Sequence, residues 1–376
     1  MRKYLFCILS FVLIFNLFSF KVDGDMNLDA RSVILIEQKT GKVLYENNAD
    51  EKLPPASVTK IMTILLVMEA IDNGSVNLTD RVSVSENAAS MGGSQVYLEV
   101  GETMSVDEML KCVVVASAND AAVALAEHIS GSEEEFVSEM NKRAKDLGML
   151  NTNFENTNGL DDTTENHYTT ARDIAIMSRE LLNHEKIFDY TTIWMDSVRN
   201  GAFTLTNTNR LIRFYKGANG LKTGSTSKAK FCLSASAKRN EMQLIAVVMA
   251  SSTRDSRNEA AVKLLDYGFA GYECVSYSQE DIQDLNVVGG VKQSVPVVSG
   301  KFIDVLKKGE REKIQKVYEI PQKINAPINK GDIVGRVLYK IDGEIIGQSE
   351  VYAGEEVKRV DFFYQIKKIL NNFLLY

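Results

Sequence analysis

Residues 54–75 read PPASVTKIMTILLVMEAIDNGS, and this stretch decides the architecture of the chain. Two prolines precede a long apolar run that ends at Asn73-Gly74, which predicts a helix that begins near Ser57 and is capped by the glycine. Because the run is apolar on nearly every side, we expect a buried central helix. Lysine is rarely buried, so Lys60, in the first turn of this helix, needs an explanation.

Nucleophilic catalysis offers an explanation for a buried lysine at position 60. Positions i and i+3 of a helix share a face, so the Lys60 amine can lie beside the Ser57 hydroxyl. A serine needs a base to become a nucleophile, and a lysine can serve when burial and a nearby positive charge lower its pKa. The Ser-x-x-Lys spacing recurs at residues 225–228, so the position at the start of a buried helix distinguishes the first copy.

A second element is Ser117-Ala118-Asn119, at the junction of two predicted helices. There the Ser117 hydroxyl could relay a proton, and Asn119 could bond a substrate amide. The alternative is that one of these residues only caps the following helix.

The tripeptide Lys-Thr-Gly occurs twice. Residues 39–41 lie between two β-rich runs, which predicts a hairpin turn with Gly41 supplying the turn geometry. Lys222-Thr223-Gly224, followed by Ser225, instead precedes the strand-like run KFCLSASAK at 230–238. A strand edge beside the nucleophile could pair with an extended peptide, Lys222 adds positive charge, and Gly224 permits close backbone approach.

Composition narrows the function classes. The chain has 376 residues, 45% hydrophobic and 25% charged, which suggests two domains. A net charge of −7 without a cluster of Lys or Arg argues against a nucleic-acid partner. No phosphate-binding loop and no metal-ligand spacing of His or Cys occurs, so we expect no cofactor and no metal. Two cysteines in apolar runs, Cys112 and Cys232, are predicted to pack in the core.

The chain divides into four parts. Residues 1–24, with two basic residues before an apolar run, predict a signal peptide, or else an uncleaved anchor. Residues 25–270 form the main domain, and 271–358 carry short β-like runs between Gly and Pro residues. Residues 359–376 are amphipathic but too short and too charged to span a bilayer, so we expect an interfacial helix. Packing on the chain's own β domain is the alternative.

Together, Ser-x-x-Lys, Ser-x-Asn and Lys-Thr-Gly in this order are a specific signal. The chain resembles the D-alanyl-D-alanine carboxypeptidases of the peptidase S11 type, low-molecular-mass penicillin-binding proteins with a β-rich second domain. The segments SANDAAVALAEH, NTNGLD and NGLKTGSTSKAKFCLSASA carry the resemblance with the triads. It implies an α+β fold of the serine β-lactamase/DD-peptidase kind, an antiparallel sheet with helices on both faces, plus a small all-β C-terminal domain.

The resemblance also implies roles. Ser57 would be acylated by the penultimate D-Ala carbonyl with Lys60 as its base, and Ser117 would relay protons. Substrate binding would fall to Asn119, which also holds Lys60, to Lys222 and Thr223 at the terminal carboxylate, and to Gly224 and Ser225 on the same strand. The backbone N–H groups of Ser57 and Ser225 would form the oxyanion hole. Arg257 best matches the family's carboxylate-binding arginine, with Arg254 as the alternative.

The implied partners are a peptidoglycan stem peptide ending in D-Ala-D-Ala, β-lactam antibiotics as inhibitors, and a membrane surface contacted by the C-terminal helix. The implied location is the outer face of the bacterial cell membrane. A class A-like β-lactamase is the nearest alternative, but its E-x-x-L-N motif is missing between Asn119 and Lys222, where only the loop residues Glu155 and Glu165 remain as candidates. The other two alternatives are a non-catalytic surface protein and a DD-endopeptidase.

Overall fold

The computed structural model describes residues 26–162 and 164–374, so the predicted signal peptide lies outside the described residues. The helices are α1 (Lys60–Asp72), α2 (Glu86–Ala89), α3 (Val106–Val115), α4 (Asn119–Ser130), α5 (Glu133–Asp146), α6 (Ala171–Leu181), α7 (Phe188–Thr191), α8 (Leu211–Phe214), α9 (Arg254–Gly271) and α10 (Phe362–Leu374). The strands of the first domain are β1 (Ser32–Glu37), β2 (Val43–Asn47), β3 (Arg81–Ser83), β4 (Thr103–Ser105), β5 (Met195–Val198), β6 (Phe203–Thr206), β7 (Ala218–Thr226), β8 (Lys230–Arg239) and β9 (Met242–Ser251).

The central sheet has five antiparallel strands in the order β2-β1-β9-β8-β7. Side chains alternate across it: Ile34 and Ile36 of β1 join the core that contains α1 and α6, whereas Val33 and Leu35 join the core that contains α9. Helices therefore cover both faces, and the predicted α+β class with an antiparallel sheet is confirmed.

The first Lys-Thr-Gly copy is the turn of the β1–β2 hairpin, as predicted. Gly41 has a φ of +72°, in the left-handed region that glycine adopts without strain. The Thr40 backbone N–H and hydroxyl both donate to the Glu37 carboxylate, at 2.8 and 2.7 Å. The hydroxyl of Thr40 is therefore hydrogen-bonded within the turn.

The predicted central helix begins with a 3₁₀ turn, Ala56–Thr59, and continues as α1. Most of its side chains are fully buried between the sheet and the neighbouring helices α3, α4 and α6. The β7 strand packs on the turn, since a Cβ added to Gly224 would lie 2.9 Å from the backbone nitrogen of Ser57. Glycine is therefore required where the edge strand meets the start of the helix.

The second domain has a separate core. Its strands are β10 (Tyr272–Tyr277), β11 (Asp281–Val288), β12 (Ser294–Ser299), β13 (Phe302–Lys307), β14 (Gln315–Glu319), β15 (Lys323–Asn325), β16 (Ile333–Ile341) and β17 (Glu344–Ala353). Six of them form one sheet, and β10 pairs with β13 in a two-stranded ribbon. The rings of Tyr277, Phe302 and Tyr339 stack inside, which confirms a small all-β C-terminal domain.

The ribbon joins the two domains. Val305 of β13 packs in the same core as α9, and the Lys42 amine donates to the Asp304 carboxylate at 3.1 Å and to the Val305 carbonyl at 2.6 Å. After the β domain comes α10, and among the described residues no helix is long and apolar enough to cross a membrane.

Candidate active site

The Lys60 amine lies at the centre of the site. Its Nζ is 2.9 Å from the Ser57 hydroxyl oxygen, 2.5 Å from the Asn119 amide oxygen and 2.8 Å from the Asn158 carbonyl oxygen. The side chain has no exposed surface. Residues far apart in the sequence thus meet on one nitrogen, and the predicted proximity of Ser57, Lys60 and Asn119 is observed.

Burial and charge both act on this amine. Burial, followed by the positive charge of Lys222, lowers the pKa of Lys60 well below its ordinary value, while the carboxylate of Asp120 opposes the shift. These are the two causes that the sequence argument required for a lysine to act as a base.

Ser117 lies where α3 ends and α4 begins, with a φ of +64°. A side chain other than glycine in this region costs about 1 kcal/mol, and such positions cluster at functional sites. The N-cap residue of α4 is Ala118, which forms no side-chain capping hydrogen bond. Capping therefore does not account for Ser117, which lines the same cleft as Ser57.

The second Lys-Thr-Gly copy lies on β7, the edge strand beside Ser57. Lys222 is fully buried; burial and then the charge of Arg257 lower its pKa to about 7. The Thr223 hydroxyl donates to the Thr208 hydroxyl at 2.7 Å. Ser225 is exposed at the open edge of the strand, where an extended ligand can pair.

Two arginines close one end of the cleft. Arg257 of α9 is buried and donates to the Asn258 side-chain oxygen at 2.9 Å and to the Cys232 carbonyl at 3.4 Å. Burial and the charge of Arg254 lower the pKa of Arg257 to about 10. Arg254 is exposed. Both line the cleft, so the choice between them stays open.

The cleft itself is small, about 160 Å³. Its walls are polar and carry both arginines, with Ser57, Ser94, Ser117, Thr208, Thr223, Gly224 and Ser225. A larger depression of about 650 Å³ lies at residues 46–51 and Arg172, but neither a serine nor a buried lysine lines it. The chemistry therefore assigns the candidate site to the smaller cleft.

Part of the site lies in the α5–α6 loop, described at residues 147–162 and 164–170, which supplies Asn158. Its NTNGLD stretch, residues 156–161, carries part of the family resemblance but had no predicted role. Gly159 has a φ of +83°, and a Cβ there would lie 1.8 Å from the Ala56 carbonyl oxygen. The loop therefore packs backbone to backbone against the residue before Ser57. A glycine after two asparagines was the available sequence signal.

The alternative carboxylates lie elsewhere in that loop. The Glu155 carboxylate accepts the backbone N–H groups of Glu165 and Asn166, at 3.1 and 3.0 Å. Both glutamates are exposed, and neither lines the cleft. Within residues 26–162 and 164–374, no group of three His, Cys, Asp or Glu could hold a metal ion.

In the part of the chain that the structure describes, no His or carboxylate bonds the Ser57 hydroxyl, which instead contacts the amine of Lys60. A serine hydrogen-bonded to a buried lysine, on a five-stranded antiparallel sheet covered by helices, is typical of a class of acyl-transferring serine hydrolases.

The comparisons narrow this class to a family. The family "D-alanyl-D-alanine carboxypeptidase" (peptidase S11) matches residues 19–253, and the "Penicillin-binding protein 5, C-terminal domain" matches residues 276–359. The chain belongs to the peptidase S11 D-alanyl-D-alanine carboxypeptidases. It is a serine-type D-Ala-D-Ala carboxypeptidase and a penicillin-binding protein, in a family of extracytoplasmic cell-wall enzymes.

Individual relatives support this family assignment. The chain is 47% identical over 359 residues to the D-alanyl-D-alanine carboxypeptidase DacF of Bacillus subtilis, covering 94% of this chain and 92% of DacF. Penicillin-binding protein 5 from Haemophilus influenzae superposes with a TM-score of 0.80 at 32% identity, covering 89% of this chain and 99% of that one. An ampicillin-bound penicillin-binding protein D2 from Listeria monocytogenes has a TM-score of 0.60 at 31% identity and covers 65% of this chain and 100% of that one.

Proposed function

We propose that Ser57 is the nucleophile of this carboxypeptidase and that neutral Lys60 is its base. The strongest support is the surroundings of the amine. The oxygens of Asn119 and Asn158 can only accept hydrogen bonds, and they lie 2.5 and 2.8 Å from Nζ. A neutral amine has two N–H groups for them, which leaves its lone pair for the Ser57 hydroxyl proton, 2.9 Å away.

The reaction then follows in two steps. Ser57 Oγ attacks the carbonyl carbon of the penultimate D-Ala, and its proton passes to Lys60 Nζ. The peptide C–N bond breaks, the departing D-Ala nitrogen takes a proton relayed through the Ser117 hydroxyl, and an ester remains on Ser57. Water hydrolyses this ester and restores the serine. The backbone N–H groups of Ser57 and Ser225 stabilise the oxyanion in each step.

Substrate binding rests on the other wall of the cleft. The stem peptide pairs with the open edge of β7 at the exposed Ser225, while Gly224 lets this strand lie close to Ser57, and Asn119 bonds the peptide amide. The terminal carboxylate lies among Lys222, Thr223 and Arg257, with Arg254 as the alternative arginine. The charge of this cleft supports the assignment, because both of its charged lining residues are cationic.

The ampicillin-bound relative supports a further statement, that β-lactams acylate Ser57. The test is to incubate the chain, without its N-terminal 24 residues and its C-terminal helix, with benzylpenicillin and to follow the intact mass. We expect a one-to-one adduct that persists for many minutes, maps to Ser57 and is missing in Ser57→Ala.

Other outcomes would contradict the proposal. An adduct that disappears while penicillin is consumed would indicate a β-lactamase. A folded sample with neither adduct nor consumption would indicate a non-catalytic protein. Labelling retained in Ser57→Ala would refute the choice of nucleophile.

We also propose that the enzyme attaches to the outer face of the cell membrane through α10. This helix carries exposed apolar side chains over its described part, from Phe362, which is 72% exposed, to Leu370, which is 54% exposed. Lys358 and Arg359 just before it are exposed as well. Basic residues beside an exposed apolar helix suit the surface of an anionic bilayer.

The division of the chain into residues 1–24, 25–270, 271–358 and 359–376 remains our proposal. Two observations support its middle boundary. The helix α9 ends at Gly271, just before β10 starts at Tyr272, and buried residues between Leu285 and Val357 form a hydrophobic core of their own.

A further inference from the structure

One wall of the cleft is an irregular segment, residues 92–102, here called the 92–102 segment, and it fixes the orientation of Asn119. The Gly92 carbonyl accepts from the Asn119 side-chain nitrogen at 2.7 Å, and the Ser94 carbonyl accepts from the Asn119 backbone nitrogen at 2.7 Å. Because the amide nitrogen is held by Gly92, the amide oxygen faces Lys60. The position of this segment therefore decides which way the amide points.

The 92–102 segment has no helix or strand to hold it. From the inside, the buried Asp120 carboxylate accepts the backbone N–H groups of Val96 and Leu98, at 3.0 and 3.1 Å. Between these two residues, Tyr97 has a φ of +57° and is 68% exposed. A non-glycine residue in this conformation persists only where its surroundings hold it.

The outside anchor is Arg199, about a hundred residues away in the sequence, just after β5. Its guanidinium donates to the carbonyls of Val96 and Tyr97, at 2.8 and 3.0 Å. It also binds both oxygens of Glu102, at 2.7 and 2.9 Å. One side chain thus holds the strained residue on both sides and closes the end of the segment. The planar guanidinium fork suits such a set of acceptors, and a lysine cannot reproduce it.

We propose that Arg199 is a positioning residue for the acylation reaction: by clamping residues 96–102 it keeps Gly92 and Ser94 on Asn119, and so keeps the Lys60 amine aligned with Ser57. The inference rests on the roles proposed above for Ser57 and Lys60. Arg199 does not line the cleft, and its hydrogen bonds go to the 92–102 segment. Its guanidinium also lies over the Phe203 ring, 5.6 Å from the ring centroid, outside the cleft.

Arg199→Gln tests the clamp. We expect the acylation rate constant with a fluorescent penicillin to fall by about 10- to 100-fold, since a misplacement of about 1 Å can cost that much. The binding constant that precedes acylation should change less than the rate constant, because the residues proposed to bind the ligand carboxylate lie on β7 and α9, away from the 92–102 segment. Given time, the variant should still reach a one-to-one adduct. Arg199→Lys should recover part of the rate.

A pH profile separates positioning from a general loss of stability. Loosening the 92–102 segment admits water to Lys60, which faces the charges of Lys222 and Asp120. Less burial raises the pKa of Lys60, so the acidic limb of the acylation profile should move to higher pH in Arg199→Gln. A smaller folded fraction would scale the rate at every pH and leave the limb in place.

Arg172→Gln is the matched control. Arg172 of α6 also binds carboxylates, Asp50 at 2.8 Å and Glu46 at 2.7 Å, but none of these residues lines the cleft. We expect wild-type acylation from it.

Two results would overturn the proposal: an unchanged rate and pH profile in folded Arg199→Gln, or equal losses in Arg199→Gln and Arg172→Gln. Failure of the proposed nucleophile would be seen separately, as labelling of Ser57→Ala.

Discussion

At the scale of single residues, the buried Lys222 acts on the buried amine of Lys60. The charge of Lys222 lowers the pKa of Lys60, second to burial itself. Lys222 in turn feels burial and then Arg257, which bring its own pKa to about 7. We infer that the positive charge of Lys222 serves two purposes: it attracts the substrate carboxylate, and it keeps the proposed base, Lys60, unprotonated.

Lys222→Gln should separate these purposes. Without the neighbouring positive charge the pKa of Lys60 rises, so the acidic limb of the acylation rate should move to higher pH. The kcat/KM for a peptide ending in D-Ala-D-Ala should also fall, because a proposed partner of the terminal carboxylate is lost. Penicillin acylation measured by stopped flow from pH 5 to pH 10 checks this. A shift of the limb to lower pH would contradict the electrostatic argument.

At the scale of elements, the α5–α6 loop carries the Asn158 carbonyl to Lys60 only because Gly159 allows backbone contact with Ala56. Gly159→Ala should move the loop or the turn before α1, since the added Cβ would lie 1.8 Å from the Ala56 carbonyl oxygen. We expect acylation to fall by about 100-fold and the free energy of unfolding to fall by about 1–3 kcal/mol from the overpacking, in addition to the backbone cost.

Gly148→Ala provides the matched control for that variant. Gly148 has a φ of +79°, close to that of Gly159, but an added Cβ would meet nothing within 4 Å. It should cost only about 1 kcal/mol from the backbone conformation and leave acylation unchanged. Urea unfolding and penicillin labelling of both variants give the comparison. Equal behaviour of the two would show that the close packing has no functional effect.

His167 secures the same loop through its neutral form. Its Nδ1 accepts the Glu155 backbone N–H at 3.1 Å, so its proton is on Nε2, which donates to the Thr59 hydroxyl at 2.8 Å. Burial lowers the pKa of His167 to about 4, against the opposing charges of Glu155 and Asp161. Between pH 6.5 and pH 4 the unfolded chain binds a proton that the folded chain does not, so stability is lost as the pH falls through this window.

From pH 7 to pH 4.5 this histidine should therefore account for a loss of about 2 kcal/mol in the free energy of unfolding. Urea unfolding at both pH values checks it, with His167→Gln as the comparison. The variant should be less stable at pH 7 and should lose less on acidification. Parallel losses in wild type and variant would assign the acid sensitivity to other groups.

At the scale of the whole molecule, the β domain holds the catalytic domain at one end and α10 at the other. Val305 packs in the core beneath α9, and Lys42 binds Asp304, so the β10–β13 ribbon is part of both domains. At the far end Tyr364 of α10 donates to the Val291 carbonyl at 3.0 Å, while the aromatic rings before it stay exposed.

Membrane attachment through α10 predicts a clear difference in vesicle binding. The chain that starts after residue 24 should float with phosphatidylglycerol vesicles, and a version that ends at Lys358 should not. Phe362→Ser with Phe363→Ser should weaken binding, and salt should weaken it further. Carboxypeptidase activity on a soluble peptide should be equal in all of them. Equal flotation of the truncated chain would place the membrane contact elsewhere.

Local sequence determined the elements and much of the chemistry. The apolar run after Ser57 was enough to predict a buried helix, and the β-rich alternation around residues 39–41 was enough to predict a hairpin. The order of three short motifs indicated the family. Spacing within one helix places Ser57 and Lys60 together, because a helix brings i and i+3 to one face.

Tertiary structure decided what holds those residues in place. The Asn158 carbonyl contact with Lys60, the Gly159 contact with Ala56 and the clamp of Arg199 on residues 96–102 each join segments about 100 residues apart. Backbone carbonyls carry no sequence signature, and an arginine in a hairpin turn looks like any other surface charge. Only the packing of the loops against the helix and the edge strand brings these groups close to Lys60, which the sequence alone predicted to be part of the site.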